Sequence, residues 1–334
     1  MPRAGVLLIN LGTPASPRVR DVRRYLRQFL LDPRVIDIPG PLRWLLVEGS
    51  ILPFRPRRSA ALYRSIWTDA GSPLLVHSRA LERALRRELG DDFRVALGMR
   101  YGDPTVPEAL ASLEGCSRIL AAPLYPQYAT SSTESALDAV RAAGAADAPV
   151  LPPFFADPGF LESWVEVARP ALRSARPEHV LMSFHGLPER QIRKLDGRGE
   201  GCLERDDCCE SPGRGSRCYR AQCFATARTL APRLGLGEGS WSVSFQSRLG
   251  RTPWIRPFTV ERLGEIRARG VRRLAVMCPS FVADCLETLE EIGIRARAQW
   301  EQLGGETLAL VPCLNAHPRW VRALAEGIRR ALEG

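Results

Sequence analysis

GVLLINLGTPASP, from Gly5 to Pro17, is the stretch on which the fold class turns. Its first half, Gly5–Asn10, is an uninterrupted apolar run with the length of a strand buried on both faces. Its second half is not the turn that such a strand feeds in a dinucleotide-binding unit. LGTPASP stands where GxGxxG is expected, and GxxxxGK[ST] occurs nowhere in the 334 residues. The chain therefore opens an α/β fold without an ordinary dinucleotide or P-loop site.

Six further apolar runs repeat the strand signal: Arg94–Met99, Arg118–Leu124, Val180–Phe184, Ser242–Phe245, Arg273–Cys278 and Thr307–Pro312. Amphipathic stretches such as Leu81–Leu89, Ser135–Ala143 and Val260–Arg269 lie between them. Strands that alternate with helices read as parallel sheets covered on both faces. At about 100–200 residues per domain the length implies two domains. The proline-rich Val150–Gly159 is the expected hinge. This places one domain at 1–150, a second at 151–315, and a last helix at 316–334 that packs back on the first. Each domain is expected to hold about four strands.

Composition narrows the function classes. The chain is 45% hydrophobic with a net charge of +10, and Lys194 is its only lysine. The arginines are scattered without a basic block, which argues against nucleic acid. No apolar run approaches the ~18 residues of a membrane span. The N-terminus lacks the pattern of a signal peptide, so a cytoplasmic protein is expected.

Reactive residues cluster just beyond strand ends, where open α/β sheets bind ligands. His185 ends VLMSFH, and imidazole titrates near neutrality. The plainer reading is a hydrogen-bonded structural histidine. After Cys278, a helix starting near Ala283 or Asp284 puts Asp284, Glu287 and Glu291 within about 60° of one another. That acidic stripe can pass a cation or protons; it can equally be a solvated first turn. Arg100 and Tyr101 follow another strand. The run Thr130–Thr133 can cap the helix after it. Ser247 and Trp254 lie in a loop after a further strand. Pro41–Trp67 mixes Trp44, Leu45, Ile51 and Phe54 with Arg43, Arg55, Arg57 and Arg58, which reads either as an apolar lip with a basic rim or as a core helix and loop.

Taken together, LLINLGTP, YRSIWTDAGSPL, PLYPQYATSST, SFHGLPER, FQSRLGRTPW and CPSFVADCLETLEEI occur in this order and span most of the chain. They closely resemble the ferrochelatases, in their proteobacterial protoporphyrin form. The resemblance implies two Rossmann-like, chelatase-type domains with a porphyrin cleft between them. It implies insertion of Fe(II) into protoporphyrin IX with release of two protons. His185, Glu287, Glu291 and Asp284 are then the catalytic group, with His185 and Glu287 at the substrate iron. Leu11, Arg100, Tyr101, Ser247 and Trp254 match porphyrin-lining positions. A lip at Pro41–Trp67 suits a lipid-soluble substrate and a peripheral contact with the inner membrane. A chelatase for coproporphyrin or cobalt, and a non-catalytic haem-binding or redox-sensing protein, are the competing readings.

One segment sits apart. GCLERDDCCESPGRGSRCYRAQC, Gly201 to Cys223, holds five of the nine cysteines. Clustered cysteines in a cytosolic chain bind metal more often than they form disulfides. Against relatives without a cluster, Gln191–Arg217 makes this link some twenty residues longer. The resemblance favours a 2Fe–2S cluster on Cys202, Cys208, Cys209 and Cys218, which lie within the insertion at 191–218. Tetrahedral zinc is the alternative, and Cys223 is the reserve ligand for Cys208 or Cys209.

Overall fold

A computed structural model describes residues 4–195, 202–204, 207–210, 217–250 and 252–333. The expected insertion at 191–218 falls in part on residues 196–201, 205–206 and 211–216, which lie outside the described residues.

All seven predicted strands are present: β1 Ala4–Gly12, β2 Phe93–Tyr101, β3 Arg118–Pro123, β4 His179–His185, β5 Trp241–Gln246, β6 Arg273–Met277 and β7 Thr307–Leu310. They form two sheets, ordered β2-β1-β3 and β5-β4-β6-β7, and every strand pair is parallel. The chain divides into two compact units. One comprises Met1–Tyr125, Thr130–Pro152 and Trp320–Gly334; the other comprises Pro126–Ala129 and Pro153–Arg319.

In the first unit β1 is central, with Leu8 opposite Leu97 on one side and Ala122 on the other. Val6 to Ile9 are all 0% exposed, which explains why the opening run needs no polar alternation. Burying each such leucine or isoleucine contributes about 1.5–3 kcal/mol. Leu7 and Ile9 pack with Val106, Leu110, Leu137 and Val140 in one core cluster. The sheet has three strands among the described residues, not four. The fourth is reduced to a single parallel bridge, Ala121 to Val150. Pro149, Pro152 and Pro153 bracket that residue, and prolines have no N–H for a ladder. The helix Pro318–Glu333 contributes Trp320 onward to this unit, where the carbonyl of Leu332 accepts from Arg118.

In the second unit β4 and β6 are central. Leu181, Leu274 and Val276 pack with Ile292 and Trp300, the latter 0% exposed. β4 and β5 run side by side from Val180 opposite Trp241 to His185 opposite Gln246. This register places His185 level with the residue that precedes Ser247, and it builds the site.

The helix after β6 begins at Leu286, later than the sequence pattern implies. Cys285 is its extended N-cap: the Cys285 N–H donates to Thr288 Oγ1 at 3.0 Å, completing a capping box. Asp284 therefore lies outside the helix, and the acidic face contains Glu287 and Glu291 without it. The Thr130–Thr133 run also departs from expectation. It forms a π-helical turn, Thr130–Glu134, and the N-cap of the next helix is Glu134 with no side-chain cap.

Candidate active site

His185 is the last residue of β4 and half-buried. Its Nδ1 lies 2.6 Å from the Gly186 carbonyl oxygen. A carbonyl only accepts, so Nδ1 is the donor here, and in the neutral ring the lone pair falls on Nε2. The His185 N–H donates to Ser280 Oγ at 3.0 Å. Its ring lies between Trp254, at 6.4 Å between centroids, and Phe281, at 6.2 Å. Gly186 is required here: a Cβ would stand 2.7 Å from the Gln246 oxygen and 3.1 Å from Trp254 Cε3. Trp254 is 9% exposed, so what it offers a ligand is a small edge. Its indole N–H donates to the Leu249 carbonyl at 3.0 Å.

The two glutamates are fixed from β5. Gln246 is buried and donates from Nε2 to the Glu287 carbonyl at 2.7 Å, while its Oε1 accepts from Ser183. The Ser247 N–H and Oγ–H donate to the two oxygens of Glu291 at 2.8 and 2.6 Å. Ser247 does this at φ 68°, in the left-handed region that disfavours a residue with Cβ. A π-helical turn, Glu291–Ala296, follows at once; such turns recur at functional sites. Asp284 is 6% exposed and otherwise engaged. It accepts from Asn315 Nδ2 at 2.8 Å, from Thr288 at 3.1 Å and from the Cys313 N–H at 3.3 Å. Its place is beneath the glutamates, holding the loop before their helix.

Arg100 and Tyr101 belong to the first unit, where a buried acid joins them. Asp32, 5% exposed, accepts from Arg100, from Tyr101 Oη at 2.8 Å and from Ser135 Oγ at 2.6 Å. Burial and the Asp32 charge hold the Tyr101 hydroxyl far above its ordinary range, so it is a permanent donor. Tyr101 is 2% exposed. Beside these residues lies a cavity of about 630 Å³ that Gln28, Arg100, Tyr101, Val106 and Asp138 help to line. Leu11, half-buried, is the penultimate residue of β1.

The ferrochelatase family model matches residues 3–332.

The chain belongs to the ferrochelatase family.

Curated ferrochelatases support this at high identity. That of Coxiella burnetii (strain Dugway 5J108-111) is 50% identical, over 99% of this chain and 94% of the relative. That of Azotobacter vinelandii is 53% identical, over 96% of this chain and 97% of its own length. Among solved structures, the sirohydrochlorin chelatase SirB from Bacillus subtilis subspecies spizizenii, in complex with cobalt, has a TM-score of 0.54. The likeness covers 99% of this chain and 96% of that one at 10% identity, and it concerns the fold alone.

Within this ferrochelatase frame, the cysteine segment is partly described. Cys208 and Cys209 are buried with their sulfurs 3.8 Å apart. Cys209 is hydrogen-bonded to Cys218, which favours the Cys218 thiolate, and Cys218 in turn feels the charge of Cys202. The Arg220 guanidinium donates to Cys209 Sγ at 3.0 Å. Among the described residues, no group of three or more His, Cys, Asp or Glu is arranged around one metal ion. Cys223 is 0% exposed, and burial pushes its thiol well above the ordinary range. Cys278, Cys285 and Cys313 are likewise buried thiols pushed up by burial.

Sequence reasoning missed Asp32, Ser135, Gln246 and Ser280. Gln246 alone carried a local signal, as a polar residue closing an apolar strand. The lip segment folds as helix Gly40–Leu45, π-turn Leu46–Ile51 and helix Arg55–Ile66. Leu42, Trp44, Leu45 and Phe54 are each more than half exposed, while Val47 and Leu52 anchor it inside. Among the described residues no helix is long and apolar enough to cross a membrane.

Proposed function

We propose that this ferrochelatase inserts Fe(II) into protoporphyrin IX, with His185 taking pyrrole protons and Glu287 and Glu291 handling the incoming iron and outgoing protons. The observation that carries the reading is His185, its Nδ1–H tied to Gly186, paired in register with Gln246, which holds the Glu287 main chain. Metallation removes two N–H protons, so it needs an acceptor that is neutral and open at physiological pH. Nε2 of His185 is the ring nitrogen left to accept, because Nδ1–H is committed to Gly186. The incoming Fe(II) must shed water and yet not be trapped. Carboxylate oxygens bind it weakly enough to pass it on, which thiolates would not. From the end of the strand that borders His185, Gln246 holds the Glu287 main chain and Ser247, the next residue, holds the Glu291 carboxylate.

In the first unit, the Arg100 guanidinium beside its cavity supplies the positive charge that a porphyrin carboxylate seeks. Asp32 and Ser135 orient that guanidinium. The exposed Leu42, Trp44, Leu45 and Phe54 provide an apolar face for a flat hydrophobic substrate. The same face suits a peripheral contact with a bilayer.

The accessory group is read as a 2Fe–2S cluster held by Cys202, Cys208, Cys209 and Cys218. The residues fit it in chemistry: Cys209 lies against both Cys208 and Cys218, Cys218 feels the charge of Cys202, and Arg220 offers positive charge to thiolates. When bound, such a cluster supplies redox sensitivity and a cross-link for the segment; no step of metallation runs through it. Zinc is the competing occupant, and a visible spectrum of protein purified without oxygen decides between them. Colourless protein with stoichiometric zinc overturns the cluster.

Assay of the purified protein with protoporphyrin IX and Fe(II) tests the main reading. Wild type is expected to metallate the porphyrin, and His185→Ala to lose turnover while retaining its fold. Normal turnover by His185→Ala removes the histidine's role. A strong preference for coproporphyrin or Co(II) reassigns the substrate.

A further inference from the structure

β4 outruns one of its neighbours. Its ladder with β6 ends at Met182 opposite Met277, whereas its ladder with β5 continues to His185 opposite Gln246. Beyond Met277 come Cys278 and Pro279, and Pro279 has no N–H to extend the ladder. In a parallel strand the N–H and C=O of one residue point to the same side. His185 would thus present both groups towards a strand that has ended, and buried unpaired groups of this kind are costly.

Two side chains replace the missing strand. Ser280 Oγ accepts from the His185 N–H at 3.0 Å. Tyr219 Oη donates to the His185 carbonyl at 2.8 Å. Tyr219 is 5% exposed, and its hydroxyl also engages the side chains of Ser280 and Cys223. Burial pushes that hydroxyl well above the ordinary tyrosine range, so it keeps its proton and stays a donor. Tyr219 is moreover the first residue of helix Tyr219–Arg233, whose N-cap is Cys218. One peptide bond separates the residue that holds His185 from a sulfur of the cysteine group.

The geometry points to Tyr219 as a positioning residue for His185, one that ties the main chain of the base to the cysteine group, so that loss of iron from those cysteines loosens the strand end. The inference rests on the roles proposed above for His185 and the cysteines. It also gives the insertion a location with a consequence: the inserted segment returns to the shared fold at the point where it touches the base.

Tyr219→Phe removes the hydroxyl and keeps the ring. The variant is expected to lose between about 10- and 100-fold in kcat with KM for porphyrin within about twofold, because a misplaced base slows chemistry more than binding. Its iron content stays at the wild-type value, and its thermal midpoint falls by only a few degrees, as loss of about one buried hydrogen bond requires. Amide hydrogen exchange over residues 183–187 rises to the level that wild type reaches only after its iron is stripped by a chelator, and stripping the variant adds nothing further. Wild-type kcat and wild-type exchange in Tyr219→Phe overturn the positioning role. Loss of iron with unchanged exchange overturns it too, since Tyr219 would then serve the cysteines alone. Unchanged exchange in stripped wild type overturns the coupling. If wild type metallates no porphyrin, the functional reading fails by itself, and the exchange comparison still decides whether Tyr219 holds the strand end.

Discussion

Ser247 gives both of its hydrogen-bond donors to Glu291, the main-chain N–H to one carboxylate oxygen and the hydroxyl to the other. It does so from a left-handed backbone conformation, at φ 68°. The strain and the grip oppose each other, and that opposition can be measured. Ser247→Ala keeps the strain and loses the hydroxyl bond, so it should destabilise by about 1–2 kcal/mol. Ser247→Gly loses the same bond but relieves about 1 kcal/mol of strain, so it should lie closer to wild type in denaturant unfolding. Both should lower metallation, because Glu291 keeps the main-chain N–H but loses the hydroxyl in both. Equal stability of the two variants would show that the backbone strain is not stored here.

Gly186 separates His185 from Trp254 by lacking a side chain. A methyl group would meet the Gln246 oxygen at 2.7 Å and the Trp254 ring at 3.1 Å. Gly186→Ala is expected to cost about 1–3 kcal/mol and to lower activity by displacing the base. Thermal unfolding and the metallation rate together check this.

Asp32 is the hub of the first unit's polar group, with Arg100, Tyr101 and Ser135 all donating to it. Asp32→Ala leaves a partly buried guanidinium and a buried hydroxyl without their acceptor. The expected loss is about 3–5 kcal/mol. Tyr101→Phe, which removes one donor from a carboxylate that keeps two others, should cost only about 1 kcal/mol. A chemical denaturation series ranks the two; a reversed order would mean that Tyr101, not Asp32, organises the group.

His179 begins β4, 1% exposed, with its Nε2 2.9 Å from Ser242 Oγ. Burial, with Arg269 nearby, lowers its pKa from 6.5 to about 4. The folded state thus favours the neutral ring. Stability from this residue is complete above about pH 6.5 and is lost as pH falls towards 4, where the unfolded chain takes up a proton that the folded chain refuses. The loss is on the order of 1 kcal/mol once solvent screening is allowed for. His179→Gln should flatten the wild-type decline between those pH values in unfolding measured by circular dichroism.

Cys218 and Cys223 divide between two fates. Cys218 is hydrogen-bonded to Cys209, whereas Cys223 is fully buried and bonded to Tyr219. With the 2Fe–2S cluster proposed above, Cys218→Ser is expected to lose the visible iron–sulfur spectrum and Cys223→Ser to keep it. The opposite pattern exchanges the two as ligands.

Much of this was legible in the chain. Apolar runs bounded by glycine and proline located all seven strands, because a strand buried on both faces has no polar alternative. His185, Glu287 and Glu291 were legible because strand ends and i, i+4 spacing are local features. Asp284 was misplaced for a reason of equally short range: Cys285 and Thr288 form a cap that a helical projection does not contain. The fourth strand of the first sheet shrank to one bridge because three prolines withhold their N–H groups.

The sequence by itself determined the order of strands and helices, the residue types available for proton and metal chemistry, and the presence of a cysteine-rich segment. Tertiary structure alone decided what each of those residues faces. The β4–β5 register set Gln246 and Ser247 against the glutamates. The early end of β6 left His185 to Ser280 and Tyr219. Asp32 reached Arg100 across 68 residues of chain. Hydrogen bonds of that span carry no periodic trace in a sequence. They form only where buried backbone and charge must find partners, and which partners stand within reach is settled by the packing of whole strands.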